Sequence, residues 1–146
     1  MNFSYDHDSL WTVSLSGQAL QAFHSPYLGN VTIGVRIAPT VFTSYEDAHF
    51  LFLSKEGYDG SRMLVLPSFN CLNITMDGAA YSLEAGIHEI SQTLDLRTGL
   101  VSMEDNWNYL PGKSARISAS MLVSQKFSKL ACLRLRIENA PAGSSV

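Results

Sequence analysis

The sequence predicts an all-β fold, an antiparallel β-sandwich (super-sandwich-like) of about nine or ten short strands with little helix. Three observations predict it. Apolar residues recur with a period of two in segment after segment. Turn-forming residues punctuate those segments at short intervals. No segment carries the sustained i, i+3, i+4, i+7 apolar stripe of an amphipathic helix. With 146 residues, 46% of them hydrophobic and 16% charged, the chain can bury a sizeable core. One domain is expected over 1–146, with loose ends at about 1–8 and 140–146.

Each element follows from its own pattern. Strands are expected at Leu10 to Leu15 and Val31 to Ile37, with Ser25-Pro26 and Ala38-Pro39 as the breaks around them. His49 to Leu53 and Met63 to Leu66 are short continuous apolar runs, suited to strands buried on both faces, and Tyr58-Asp59-Gly60 turns the chain between them. Cys71 to Met76 and Gly86 to Ile90 follow, with Asp77-Gly78 as a tight turn. Leu94 and Leu96 alternate with Asp95 and Arg97 before the Thr98-Gly99 turn leads into Leu100-Val101. After Pro111-Gly112, Ile117, Ala119 and Met121 alternate with Arg116, Ser118 and Ser120. Leu133, Leu135 and Ile137 alternate with Arg134, Arg136 and Glu138 in a long strand with one face in the core and one in water. Helix is expected only briefly, around Ser16 to Phe23 or Ser44 to Ala48.

Composition narrows the function classes. A net charge of −3 and a pI near 5.7 argue against nucleic acid as the main partner, because phosphate binding needs a basic face. No apolar run approaches the roughly 18 residues of a membrane span. The segment Met1 to Asp8 has neither the basic start nor the apolar stretch of a signal peptide, so a cytoplasmic chain is expected. The sequons at Asn2, Asn30 and Asn73 leave secretion open, being only a mild excess over chance. Cys71 and Cys132 have no partner at C-x-x-C spacing; they are read as small buried apolar residues, with a single disulfide as the alternative.

Linear motifs for catalysis are absent: no G-x-S-x-G elbow and no Gly-rich phosphate cradle. Asp6-His7-Asp8 holds metal-ligand residue types, but neighbours on an extended chain face opposite ways, and no metal or other cofactor is expected. His24, His49 and His88 stand apart without ligand spacing and are read first as satisfied structural histidines, although any could act as a general base. Glu104-Asp105 reads as a solvated acid pair in a loop ahead of Trp107 and Tyr109. Tyr45, Tyr58, Phe69, Trp107 and Tyr109 fall in or beside expected loops, where aromatic rings stack on sugars, line an apolar pocket, or simply cap the core.

Several of these segments bring a family with them. Ser25-Pro26-Tyr27-Leu28-Gly29-Asn30-Val31-Thr32-Ile33-Gly34-Val35-Arg36 resembles the "NGYxGxR" segment of glycoside hydrolase family 65. Gly57-Tyr58-Asp59-Gly60 and Leu66-Pro67-Ser68-Phe69 look like the "YDG" and "LPxW" landmarks of its fungal acid trehalase branch. Ser91 to Val101, followed by Trp107, is similar to its "QTLDLRxGxLxT…W" strand and turn. The landmarks run in order from about residue 10 to residue 138. The resemblance implies the N-terminal β-sandwich domain, as a stand-alone, shortened chain without the helical barrel that carries the family's catalytic glutamate. Trehalase or phosphorylase activity is therefore not expected. Val31 stands where the family has glycine, so that turn is expected to have changed shape.

Two functions follow as expectations. The first is a cofactor-free cyclase or pericyclase acting on a terpenoid or polyketide in an aromatic pocket, as in fungal secondary metabolism, by holding the substrate in a reactive geometry. Its pocket walls would be Tyr45, Tyr58, Phe69, Trp107 and Tyr109, its polarising donors Arg36 and Arg97, and its base His49. The alternative is a carbohydrate-binding module in which Trp107, Tyr109 and Tyr58 stack on sugar rings. The expected partner is a small-molecule ligand in either case, with a homodimer as a way of covering an exposed apolar face.

Overall fold

The computed structural model describes residues 11–16, 27–40, 50–52, 58–59, 62–63, 65–66, 72–139 and 141. These residues are all-β, with no helix among them. The main sheet has five antiparallel strands: β1 (Thr12–Ser16), β10 (Ile87–Asp95), β11 (Leu100–Leu110), β12 (Lys113–Val123) and β13 (Ala131–Glu138), side by side in that order. A second sheet has the order β2 (Tyr27–Gly29), β3 (Ile33–Arg36), β4 (Phe50–Phe52) and β7 (Val65–Leu66). Two short ribbons, β5 (Tyr58–Asp59) with β6 (Arg62–Met63) and β8 (Thr75–Met76) with β9 (Ala79–Ala80), complete the described strands. The two brief helices expected near residues 16–23 and 44–48 lie outside the described residues, apart from Ser16, which ends β1.

Period-two alternation explains the main sheet. On β12, Ala115, Ile117, Ala119, Met121 and Val123 are buried while the residues between them face outward. On β11, Val101, Met103, Asp105, Trp107 and Tyr109 all point inward. The apolar side chains among these meet Leu28, Ile33 and Val35 of the second sheet and Ile37 just after β3 in one core, with Ile74 and Met76 closing it. Full burial of each large side chain stabilises the fold by about 1.5–3 kcal/mol.

Three side chains tie the sheets together. Gln92 donates through Nε2 to the carbonyls of Ala38 and Pro39 at 2.9 and 3.0 Å. Gln125 donates to the Gly29 carbonyl at 2.8 Å. Asn30 donates to the carbonyls of Ser124 and Ser128 at 2.7 and 3.2 Å. Its Oδ1 accepts from the amides of Thr32 and Ile33, both at 2.8 Å. The Asn30 side chain thus shapes the turn that precedes β3, and Val31 stays out of the left-handed region.

Two sequence expectations are corrected. The stretch from Glu104 to Tyr109, expected as a loop, is the middle and end of β11. An acid at an inward position and two asparagines flanking Trp107 masked a continuous alternation. Glu104 and Asp105 are consequently not a pair: they lie on opposite faces of the sheet. Cys132, expected to be buried, is an exposed free thiol, since Ala131 and Leu133 take the inward positions beside it. Cys71 lies outside the described residues.

Candidate functional site

Of the described candidate residues, Trp107 and Tyr109 meet with ring centroids 5.2 Å apart, while Arg36 and Arg97 lie on other elements. Arg36 ends β3, half-buried and paired across the ladder with Tyr27. Arg97 is exposed on the four-residue turn between β10 and β11. Trp107 stands eight positions beyond Gly99, the end of that turn, roughly 27 Å away along an extended strand. Tyr58 begins β5, while Tyr45, His49 and Phe69 lie outside the described residues. Trp107 lies within β11 and Tyr109 is its penultimate residue, beside the hairpin turn; both face the core, 1% and 7% exposed.

The Gln92-to-Gly99 motif has clear structural work. Gln92 links the sheets, as described above. Asp95 caps the turn: its Oδ1 accepts from the amides of Arg97 and Thr98 at 2.8 and 3.3 Å. Hydrogen bonds from the Thr98 side chain, then from the Arg97 amide, hold the Asp95 carboxyl below its ordinary range. Gly99, at φ +66°, takes the backbone position that a side chain would strain.

A buried polar and aromatic cluster surrounds Trp107 instead. Asp105, 1% exposed, accepts from His88 Nδ1 at 2.6 Å, from the Tyr81 hydroxyl at 2.7 Å and from the Glu89 amide at 3.1 Å. On the other side of its ring, His88 Nε2 lies 2.9 Å from the Ser82 carbonyl and 3.0 Å from that of Ala85. Carboxylate and carbonyl oxygens only accept, so these contacts are all satisfied when both ring nitrogens carry protons, and the arrangement favours the His88 imidazolium. Burial opposes that charge, but the Asp105 hydrogen bond and the bonds to Ala85 and Ser82, with the carboxylate's charge, raise the His88 pKa above its ordinary value. Burial, with the bond to Asp105 and its charge, pushes the Tyr81 hydroxyl far up. The His88 ring stacks on Trp107 at 6.2 Å and Tyr81 meets Trp107 edge-on at 5.0 Å.

This cluster looks like an acid–base relay in composition, but its geometry is structural. A general base needs a nitrogen lone pair directed at substrate, and both His88 nitrogens are engaged as donors. The expectation of a satisfied structural histidine holds for His88. Gly86 closes the cluster at φ +94°, where a Cβ would stand 3.0 Å from Trp107 Nε1 and 3.1 Å from the Asn108 carbonyl. That indole N–H is buried and unpartnered among the described residues.

Beside this cluster, a groove of about 570 Å³ runs along the β11–β12 hairpin end. Ile87, Leu110 and Pro111 give it apolar walls; Asn108, Lys113 and Ser114 give it polar groups. A register shift between Asn108 and Leu110 breaks the ladder there. Ile87 and Leu110 are 59% and 39% exposed, and Tyr109 reaches the groove from the core. The Tyr109 hydroxyl and Lys113 both donate to Asp77 Oδ2, at 3.2 and 2.8 Å. The bond to Asp77 holds the Lys113 ammonium above its ordinary pKa. Among the described residues no group of three potential metal ligands comes together. Only Tyr109 of the sequence-derived residues lines this groove; Asn108, Lys113 and Ser114 belong to no motif and are brought together by the Pro111-Gly112 turn between β11 and β12.

The class these features define is an all-β, two-sheet domain with a structural histidine cluster and an open groove at one hairpin. The chain belongs to glycosyl hydrolase family 65, as its N-terminal domain, with residues 26–146 matching the family. The matched part is the N-terminal domain alone, so these 146 residues hold none of the family's catalytic domain. No curated protein and no solved structure matches the chain.

Proposed function

We propose that this domain binds rather than transforms its ligand, and that the ligand is a carbohydrate seated in the hairpin-end groove. The observation that carries the reading is the mixed lining of that groove: apolar Ile87, Leu110 and Pro111 beside Asn108, Lys113 and Ser114. A sugar ring presents apolar C–H faces and hydroxyl edges together, and this lining matches both. The groove volume falls in the range of small-molecule sites. A cyclase reading asks for several aromatic walls and an arginine in one cavity. Arg36, Arg97 and Trp107 are absent from this lining, and a second cavity, lined by Ser102, Ser118, Arg134 and Arg136, holds none of them either.

Thermal unfolding with two ligand panels, α-linked disaccharides and apolar terpenoid or polyketide acids, tests the proposal. A disaccharide at 100 times its Kd should stabilise the fold by about 2.7 kcal/mol. Asn108→Ala and Ser114→Ala, at exposed positions, should each weaken binding by roughly three- to tenfold while leaving the unliganded melting temperature in place. Stabilisation by the apolar acids alone would overturn the carbohydrate reading and reopen a search for turnover.

A further inference from the structure

The solvent face of the main sheet carries a second feature, independent of the hairpin groove. Cross-strand register places Ser14 opposite Thr93, Thr93 opposite Ser102, Ser102 opposite Ser120, and Ser120 opposite Arg134. One row therefore crosses all five strands with a short hydroxyl side chain on four of them and a guanidinium on the last. At the usual strand spacing it is about 19 Å long. The hydroxyls of Ser14 and Thr93 are 3.3 Å apart. The adjoining row holds Glu104, Ser118 and Arg136. Short side chains between long ones make a trough of about 230 Å³ lined by Ser102, Glu104, Ser118, Ser120, Arg134 and Arg136.

The charges around the trough are unequal. Arg116 pairs with Glu104 at 2.7 Å and Arg136 with Glu138 at 2.6 Å. Arg134, exposed on β13, has no ion pair among the described residues. A guanidinium presents a planar fork of donors suited to a carboxylate, sulfate or phosphate. The serine and threonine hydroxyls each offer a donor and acceptors along the remainder of the row, the pattern that a chain of hydroxyl groups satisfies. Ordinary solvent faces use long charged side chains; here four of the five strands put a short hydroxyl side chain into this row.

We propose that this trough binds an extended polyhydroxylated ligand carrying an oxyanion, an acidic oligosaccharide, with the oxyanion on Arg134 and the sugar hydroxyls along Ser120, Ser102 and Thr93. The test is NMR titration of the 146-residue chain with an oligogalacturonate, a neutral maltooligosaccharide of the same length, inorganic sulfate and inorganic phosphate. The acidic oligosaccharide should shift the amides of Ser102, Ser118, Ser120 and Arg134. Arg134→Ala should weaken it at least tenfold, Arg134→Lys by less, and added salt should weaken it further. Lys129→Ala, exposed between β12 and β13 and outside both linings, should leave this affinity unchanged; amide shifts at Ser102 and Ser120 rather than at Asn108 and Ser114 separate failure here from failure of the carbohydrate reading of the groove. Equal binding of the neutral chain, equal binding of free sulfate or phosphate, shifts confined to the hairpin end, or no binding at millimolar ligand would each overturn the proposal.

Discussion

Asp105 and Gln92 both stand at inward positions of the main sheet, on neighbouring strands, and they solve the problem of a polar group in a core differently. Asp105 is served from within its own neighbourhood: Tyr81, His88 and the Glu89 amide all converge on its two oxygens. Gln92 reaches across the sandwich, and its donated bonds hold Ala38 and Pro39 of the facing layer. Its Oε1 is buried without a partner among the described residues. Asp105 thus fixes the local arrangement of one end of the sheet, whereas Gln92 ties the main sheet to the segment that follows β3. The first is a charge and depends on its counterion; the second is neutral and depends on layer position.

The largest expected effect comes from removing the charge. Asp105→Ala breaks the ion pair with His88 and strips the Tyr81 hydroxyl and Glu89 amide of their acceptor, and chemical denaturation should show a loss of about 3–5 kcal/mol. An unchanged midpoint would mean that His88 is not held as the cation of a pair. Gln92→Ala should cost less, about 1–3 kcal/mol, because it strands two carbonyls but no charge. Hydrogen exchange in that variant should rise at the Ala38 and Thr40 amides while the Tyr81–Asp105 region keeps its protection; a uniform rise would break the distinction between a local and a cross-layer role.

The smallest effect is pH dependence, and it sharpens the comparison most. The folded-state pKa of His88 is raised, so its contribution is fully present below its ordinary value of 6.5 and is lost as pH climbs through the raised folded value. Melting temperature of the native chain should decline across that window. In His88→Gln the decline should flatten, since the group responsible is gone. A slope that persists in His88→Gln would assign it to another titrating group.

Much of this fold was legible in the residues. The alternation of Leu133, Leu135 and Ile137, and of Ile117, Ala119 and Met121, gave the strands and their inward faces, and Asp77-Gly78, Thr98-Gly99 and Pro111-Gly112 gave the turns. The failure at β11 has a physical source. Asp105 occupies a core position only because Tyr81, His88 and an amide surround it, and no local pattern announces partners 16 to 24 residues away. Once Asp105 is allowed inside, Val101, Met103, Trp107 and Tyr109 form an unbroken strand pattern. The candidate site was less legible for the same reason. Arg36 and Arg97 stood out as motif residues, yet a motif position reports what a segment needs in order to fold as readily as what it binds.

The Asn30 side chain has a consequence for covalent modification. Of the sequons at Asn30 and Asn73, the first has an amide nitrogen already donating to Ser124 and Ser128 and an oxygen accepting from Thr32 and Ile33. Attaching a glycan would consume one of its two N–H bonds and place a bulky substituent where the carbonyl of Ser124 lies at 2.7 Å. Asn73 is exposed, one residue before the buried Ile74. In a secretory host, then, the folded domain would accept sugar at Asn73 and refuse it at Asn30. Occupancy at Asn30 would mark chains modified before this corner of the sandwich closed.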